Sequence, residues 1–85
     1  MTAQIEIYSK DHCPFCTHAK RLLEQKSLTY TETRVDLNPD ALEIMLKRSG
    51  GKRSLPQIFI NDQHIGGFDD LAALERCCQL DELTK

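Results

Sequence analysis

The chain has 85 residues, enough for one domain, taken as 1–85, with an adequate but thin hydrophobic core. Its formal net charge is −2, with acidic and basic side chains interspersed and one local basic cluster from Lys47-Arg48 to Lys52-Arg53, which argues against nucleic acid as a partner. No apolar run approaches membrane-spanning length, and Met1-Thr2-Ala3-Gln4 lacks the charged and apolar regions of an export signal; a cytoplasmic protein without membrane contact is expected, with cysteine used for catalysis in a reducing compartment rather than for two disulfide staples.

Residues 4–8 read as a buried strand and 14–26 as an amphipathic helix with Lys20, Arg21, Glu24 and Gln25 on its polar face. Thr29 to Val35, rich in β-branched and aromatic residues, reads as a second strand. Asn38-Pro39 supplies an N-cap followed by proline at the first helical position; Leu42, Met45 and Leu46 form the apolar stripe of a helix that Gly50-Gly51 ends. Ile58-Phe59-Ile60, Asn61-Asp62 and Gln63-His64-Ile65 read as a hairpin. A last helix runs from about Asp69, with Leu71 and Leu74 inward. The order β-α-β-α-β-β-α implies an α/β fold, a mixed sheet with helices on both faces.

Between the first strand and the first helix stands Cys13-Pro14-Phe15-Cys16, a placement that suits a thioredoxin-like redox motif. Pro14 lacks an N–H and has a fixed φ, which suits the first helical position and makes Cys13 the N-cap. Its sulfur then faces the unpaired amides of Phe15 and Cys16 at the positive end of the helix, where a thiolate is favoured. Cys13 is therefore the expected nucleophile. Cys16 lies about one turn further in and begins the stripe Cys16, Ala19, Leu22, Leu23, so it is the less exposed, resolving sulfur. Lys10 adds positive charge that favours the Cys13 thiolate, or is simply a solvated loop lysine. Half a zinc site is the competing use of such a pair. No second pair at ligand spacing follows, and His12, His18, His64 and Cys77-Cys78 would have to be gathered by folding, so no metal is expected.

Two further segments carry chemistry. Ser54-Leu55-Pro56 precedes the third strand, and taken alone Pro56 reads as the start of an edge strand. Gly66-Gly67-Phe68-Asp69-Asp70-Leu71 places two glycines ahead of a helix N-terminus, where backbone amides suit a carboxylate and Asp69 can accept from an ammonium group. A tight turn with acidic caps explains the same residues, and both can hold if Asp70 caps while Asp69 binds.

With these three motifs the whole chain resembles a glutaredoxin, a small dithiol protein of the thioredoxin fold. The resemblance implies a four-stranded mixed sheet flanked by helices, glutathione as reductant and co-substrate, and reduction of protein–glutathione mixed disulfides and protein disulfides by Cys13 and Cys16. It implies a cis bond before Pro56 that turns the N–H and C=O of Leu55 toward Cys13, to bond the cysteinyl backbone of glutathione. Phe68 and Asp69, with Gly67, would take the γ-glutamyl end. Clients are glutathionylated and disulfide-containing proteins, with ribonucleotide reductase among those the family suggests, and a monomer is expected.

The chain departs from the family pattern in places. Phe15 stands where tyrosine is usual, which keeps an apolar wall and removes a phenolic hydrogen bond. Ser54-Leu55 replaces Thr-Val. Leu42 occupies a position where the family often has Arg or Gln, so Arg53, with Lys52 as second choice, is the substitute cation for the glycyl carboxylate of glutathione. Cys77 and Cys78 are extra and are expected to be small buried apolar residues. Two other functions fit parts of the pattern. One is a thioredoxin-like electron donor reduced directly by a flavoprotein, against which Asp69 after Gly66-Gly67 argues; the other is a glutathione-ligated iron–sulfur carrier, against which Pro14 and Cys16 argue.

Overall fold

Alternation along β1 (Ile5–Ser9) sends its side chains to two opposite layers. Ile5 and Ile7 pack with Ala19 and Leu23 of α1 (Pro14–Gln25), Ile58 and Ile60 of β3 (Gln57–Ile60), Leu71 of α3 (Phe68–Arg76) and Leu80 of α4 (Gln79–Leu83). Tyr8 and Phe59 point the other way, onto Val35 and onto Ala41 and Met45 of α2 (Pro39–Arg48). Each fully buried isoleucine or leucine contributes about 1.5–3 kcal/mol. The remaining strands are β2 (Thr31–Arg34) and β4 (Gln63–Gly66). This computed structural model describes residues 3–84.

The sheet order is β2-β1-β3-β4, with β1 and β2 parallel and the other two pairs antiparallel. That is the mixed, four-stranded, helix-flanked sheet of the thioredoxin-like class. The hairpin turns through Asn61 and Asp62, with φ of 50° and 66°, the conformation that two-residue hairpins prefer. Asn61 also accepts the Gln4 N–H at 2.9 Å, tying the turn to the start of β1.

Arg48 clamps α2 to the sheet. Its guanidinium donates to both carboxylate oxygens of Glu6, at 3.0 and 2.9 Å, and to the Tyr8 hydroxyl at 3.0 Å, while lying 4.0 Å from the Phe59 ring centroid. Two parallel charge-assisted bonds and a cation–π contact fix the helix direction. They also hold the Arg48 guanidinium well above its ordinary pKa, the Glu6 hydrogen bond being the main cause.

The C-terminal region corrects two expectations. The last helix stops at Arg76, and the short α4 follows, so the order is β-α-β-α-β-β-α-α. Cys77 caps α3 and Cys78 adopts a left-handed φ of 63°; both are exposed and neither lies in the core. That turn redirects the chain so that Leu80, fully buried, completes the apolar cluster that a straight helix would have offered to Cys78. Neither residue at the break is the glycine that usually marks such a stop. Among the described residues no helix is long and apolar enough to cross a membrane.

Candidate functional site

Cys13 caps α1 with an extended backbone, φ −116° and ψ 99°, and its sulfur accepts the Cys16 N–H at 3.3 Å. Pro14 follows within the first turn, where its missing N–H costs nothing. Cys16 is 1% exposed, against a half-buried Cys13, and the two are paired as a disulfide with Cα atoms 5.2 Å apart. The burial difference follows from the helix: one turn separates the cap from the stripe that faces the core. One sulfur is thus open to solvent and the other lies behind it.

The loop before the cap is fixed from β2's end. Arg34 donates to both oxygens of Asp36, at 2.8 and 2.6 Å, and Asp36 accepts the Asp11 N–H at 3.2 Å. The Arg34 hydrogen bonds hold the Asp36 carboxyl far below the usual carboxylate range. Lys10 is exposed and shares a second, polar hollow with both cysteines, Lys20, Glu32 and Arg34. Ser9, buried, donates to Glu32 at 2.6 Å, and Lys20 donates to the same carboxylate at 2.9 Å; the Ser9 bond is the larger cause of its lowered pKa.

On the other side of the pair lies a cleft of about 420 Å³. It collects residues from three distant parts of the chain: Phe15 from α1, Leu55 and Pro56 from the segment before β3, and Gly67, Phe68 and Asp69 from the start of α3. The Leu55-Pro56 bond is cis, and the Leu55 carbonyl oxygen is 3.9 Å from the Cys13 sulfur. Phe15, 57% exposed, stacks on Phe68 with centroids 6.4 Å apart.

The α3 end is built by its glycines. Gly66 has φ 121°, and any side chain there would collide with the Asp70 carboxylate. That carboxylate accepts the Gly67 N–H at 3.0 Å, so Asp70 caps the helix. Asp69, one residue earlier, is exposed on the cleft, beside helix N-terminal amides that have no acceptor within the helix.

Of the two candidate cations, Lys52 lines the cleft and Arg53 does not. Buried Ser49 holds Lys52 in place, its hydroxyl accepting the Lys52 N–H and donating to the Lys52 carbonyl, both at 3.2 Å. Leu42 packs against the apolar layer under α2. The histidines and the Cys77-Cys78 pair are not gathered: among the described residues no group of three or more metal-ligating side chains comes together.

Two cleft residues were not foreseen. Gln57, 1% exposed, donates its amide to the Ser54 carbonyl at 2.8 Å and the Ser54 hydroxyl at 3.1 Å, and its oxygen meets His64 Nε2 at 2.7 Å. A carbonyl can only accept, so the amide nitrogen faces Ser54, the amide oxygen faces His64, and His64 Nε2 carries the proton. This relay splints Ser54-Leu55-Pro56 to β4. The sequence signal was a polar residue directly after Pro56, opening an apolar strand.

Comparison with known proteins gives one answer. The glutaredoxin family model matches residues 5–65. Glutaredoxin 3 of Escherichia coli K12 is 49% identical over 83 residues, covering 98% of this chain and 99% of the relative. The solution structure of a Brucella melitensis glutaredoxin superposes with a TM-score of 0.85 at 40% identity, covering 99% of this chain and 90% of that one. A buckwheat glutaredoxin crystallised as a glutathione complex gives 0.86 at 28% identity, over 96% of this chain and 76% of that one. The chain belongs to the glutaredoxin family, and that membership together with the Cys13–Cys16 pair supports thiol–disulfide oxidoreductase activity.

Proposed function

We propose that this glutaredoxin is glutathione-dependent and reduces protein–glutathione mixed disulfides and protein disulfides through Cys13 and Cys16. The observation that carries the proposal is the Leu55 carbonyl 3.9 Å from the Cys13 sulfur at the edge of a peptide-sized cleft. Glutathione laid along Ser54-Leu55-Pro56 would place its cysteinyl sulfur at Cys13, its γ-glutamyl end over Phe68 and Asp69, and its glycyl carboxylate toward Lys52. The glutathione complex of the buckwheat relative supports the same ligand class here.

In the reaction, the Cys13 thiolate, favoured at the helix N-terminus and by Lys10, attacks the glutathione sulfur of a mixed disulfide. The protein–glutathione S–S bond breaks, the client leaves as a thiolate and is protonated, and Cys13 carries glutathione. A second glutathione thiolate attacks that sulfur, freeing Cys13 and forming glutathione disulfide. With a protein disulfide, Cys13 forms the mixed disulfide and Cys16 displaces the client, leaving a Cys13–Cys16 bridge that two glutathiones reduce.

The two sulfurs then differ in kind. Cys13→Ser should lose both activities in an assay coupled to glutathione reductase. Cys16→Ser should keep deglutathionylation and lose most protein-disulfide reduction. A folded Cys13→Ser protein that retained either activity, or a Cys16→Ser protein that lost both, would overturn the assignment.

A further inference from the structure

We propose that the groove between α1 and α3 docks acidic segments of client polypeptides, an inference that rests on Cys13 being the attacking sulfur. The groove, about 410 Å³, is lined by His18, Arg21, Leu22, Phe68, Glu75 and Arg76 among others. It is continuous with the glutathione cleft, because Phe68 lines both. His18 lies over Phe68 at 5.6 Å between ring centroids, and Phe15 stacks on the same ring. An apolar, aromatic shelf therefore runs from the thiol pair into the groove, on the side of Phe68 away from Ser54-Leu55-Pro56.

Charge sets what the shelf can receive. Arg21 and Arg76 are both exposed and carry no hydrogen bond or ion pair among the described residues. The acid that shares the groove, Glu75, is already neutralised by Lys26 at 3.0 Å, and Lys26 is also held by Asp81 at 2.8 Å. Lys20, on the far side of α1, is engaged by Glu32 and does not line the groove. Two unpartnered guanidiniums beside an apolar shelf form a positive end that a carboxylate would neutralise bidentately.

Spacing adds a length rule. Arg21 is eight residues along the helix from Cys13, about 12 Å of axial rise. An extended client strand covers that in roughly three to four residues. A client cysteine at Cys13 with Asp or Glu three and four residues away therefore meets Arg21, and Arg76 beyond it.

The test uses two synthetic peptides, each glutathionylated at one central cysteine and identical except for Asp or Lys three and four residues to either side. The wild-type protein should deglutathionylate the acidic peptide with a kcat/KM roughly tenfold or more above the basic one at low salt. That ratio should fall toward unity at high salt. Arg21→Glu combined with Arg76→Glu should abolish or invert the preference while leaving turnover of the mixed disulfide of glutathione and 2-mercaptoethanol within about twofold, since small substrates do not reach the groove. Equal rates on the two peptides, or a preference that survives charge reversal, with normal turnover of the small substrate, would overturn the docking surface alone. Absence of turnover on the small substrate and both peptides would overturn the glutathione reading and the surface with it.

Discussion

Replacing Gln57 by methionine would remove three hydrogen bonds from the floor of the cleft at nearly constant volume. The lost bonds are those to the Ser54 carbonyl at 2.8 Å, the Ser54 hydroxyl at 3.1 Å and His64 Nε2 at 2.7 Å. Ser54 is exposed and His64 half-buried, so water can rescue their freed groups in part, and each bond counts near the low end of about 0.5–1.5 kcal/mol. The sum is about 2 kcal/mol, or roughly 8–16 °C in Tm for a domain of this size. Thermal unfolding of the reduced protein, followed by circular dichroism, measures it directly. Because the same bonds splint Ser54-Leu55-Pro56, KM for a glutathionylated substrate should rise several-fold while kcat changes less. Gln57→Glu keeps an acceptor for His64 but loses both donors to Ser54, and should share the KM defect. A methionine variant melting within roughly 2 °C of wild type, with unchanged KM, would refute the splint.

Lys52→Ala should raise KM for glutathionylated substrate about fivefold, the loss of about 1 kcal/mol for an exposed charge-assisted contact, and Arg53→Ala should leave it nearly unchanged; the reverse order in steady-state kinetics would return the role to Arg53. Cys78→Gly should raise stability by about 0.5–1 kcal/mol in urea unfolding, because glycine relieves the left-handed φ of 63° and gives back part of that gain as backbone entropy; no change or a loss would mean the turn is held by contacts of the thiol. Glu32 is held below its usual carboxyl value of 4.5, mainly by the Ser9 hydroxyl, so the stability it contributes is fully present above that value and fades as pH falls through the lower folded value. Glu32→Gln should therefore be less stable than wild type at neutral pH, with the gap closing in acid; a gap independent of pH would assign the effect to packing.

Local pattern was enough for most of the elements. Short apolar runs marked β1 and β3, proline after a cap residue marked both long helices, and Asn61-Asp62 marked the hairpin, since each signal acts over a few residues and needs no partner. The cysteine motif likewise placed Cys13 on the cap and Cys16 in the core, because one helical turn separates an exposed end from a buried face. Other features depended on what the chain met when folded. Cys78 sat at the correct spacing for the apolar stripe, yet Leu80 won the buried place once a left-handed turn redirected α3 into α4, and no sequence signal marked that turn. Arg53 was the preferred cation and Lys52 the second choice, yet Lys52 is the one that lines the cleft, its backbone fixed there by Ser49. Gln57 stood outside the strand read at Ile58-Phe59-Ile60; only the pairing of β3 with β4 brought His64 beside it and turned a buried amide into a splint for Ser54 and the segment that carries the Leu55 carbonyl. Residue types and local spacing determined which chemistry the chain carries, whereas the sheet order, which brings residues 15, 55 and 68 to one cleft beside Cys13, decided where that chemistry is assembled, because contacts between segments tens of residues apart exist only after the sheet has closed.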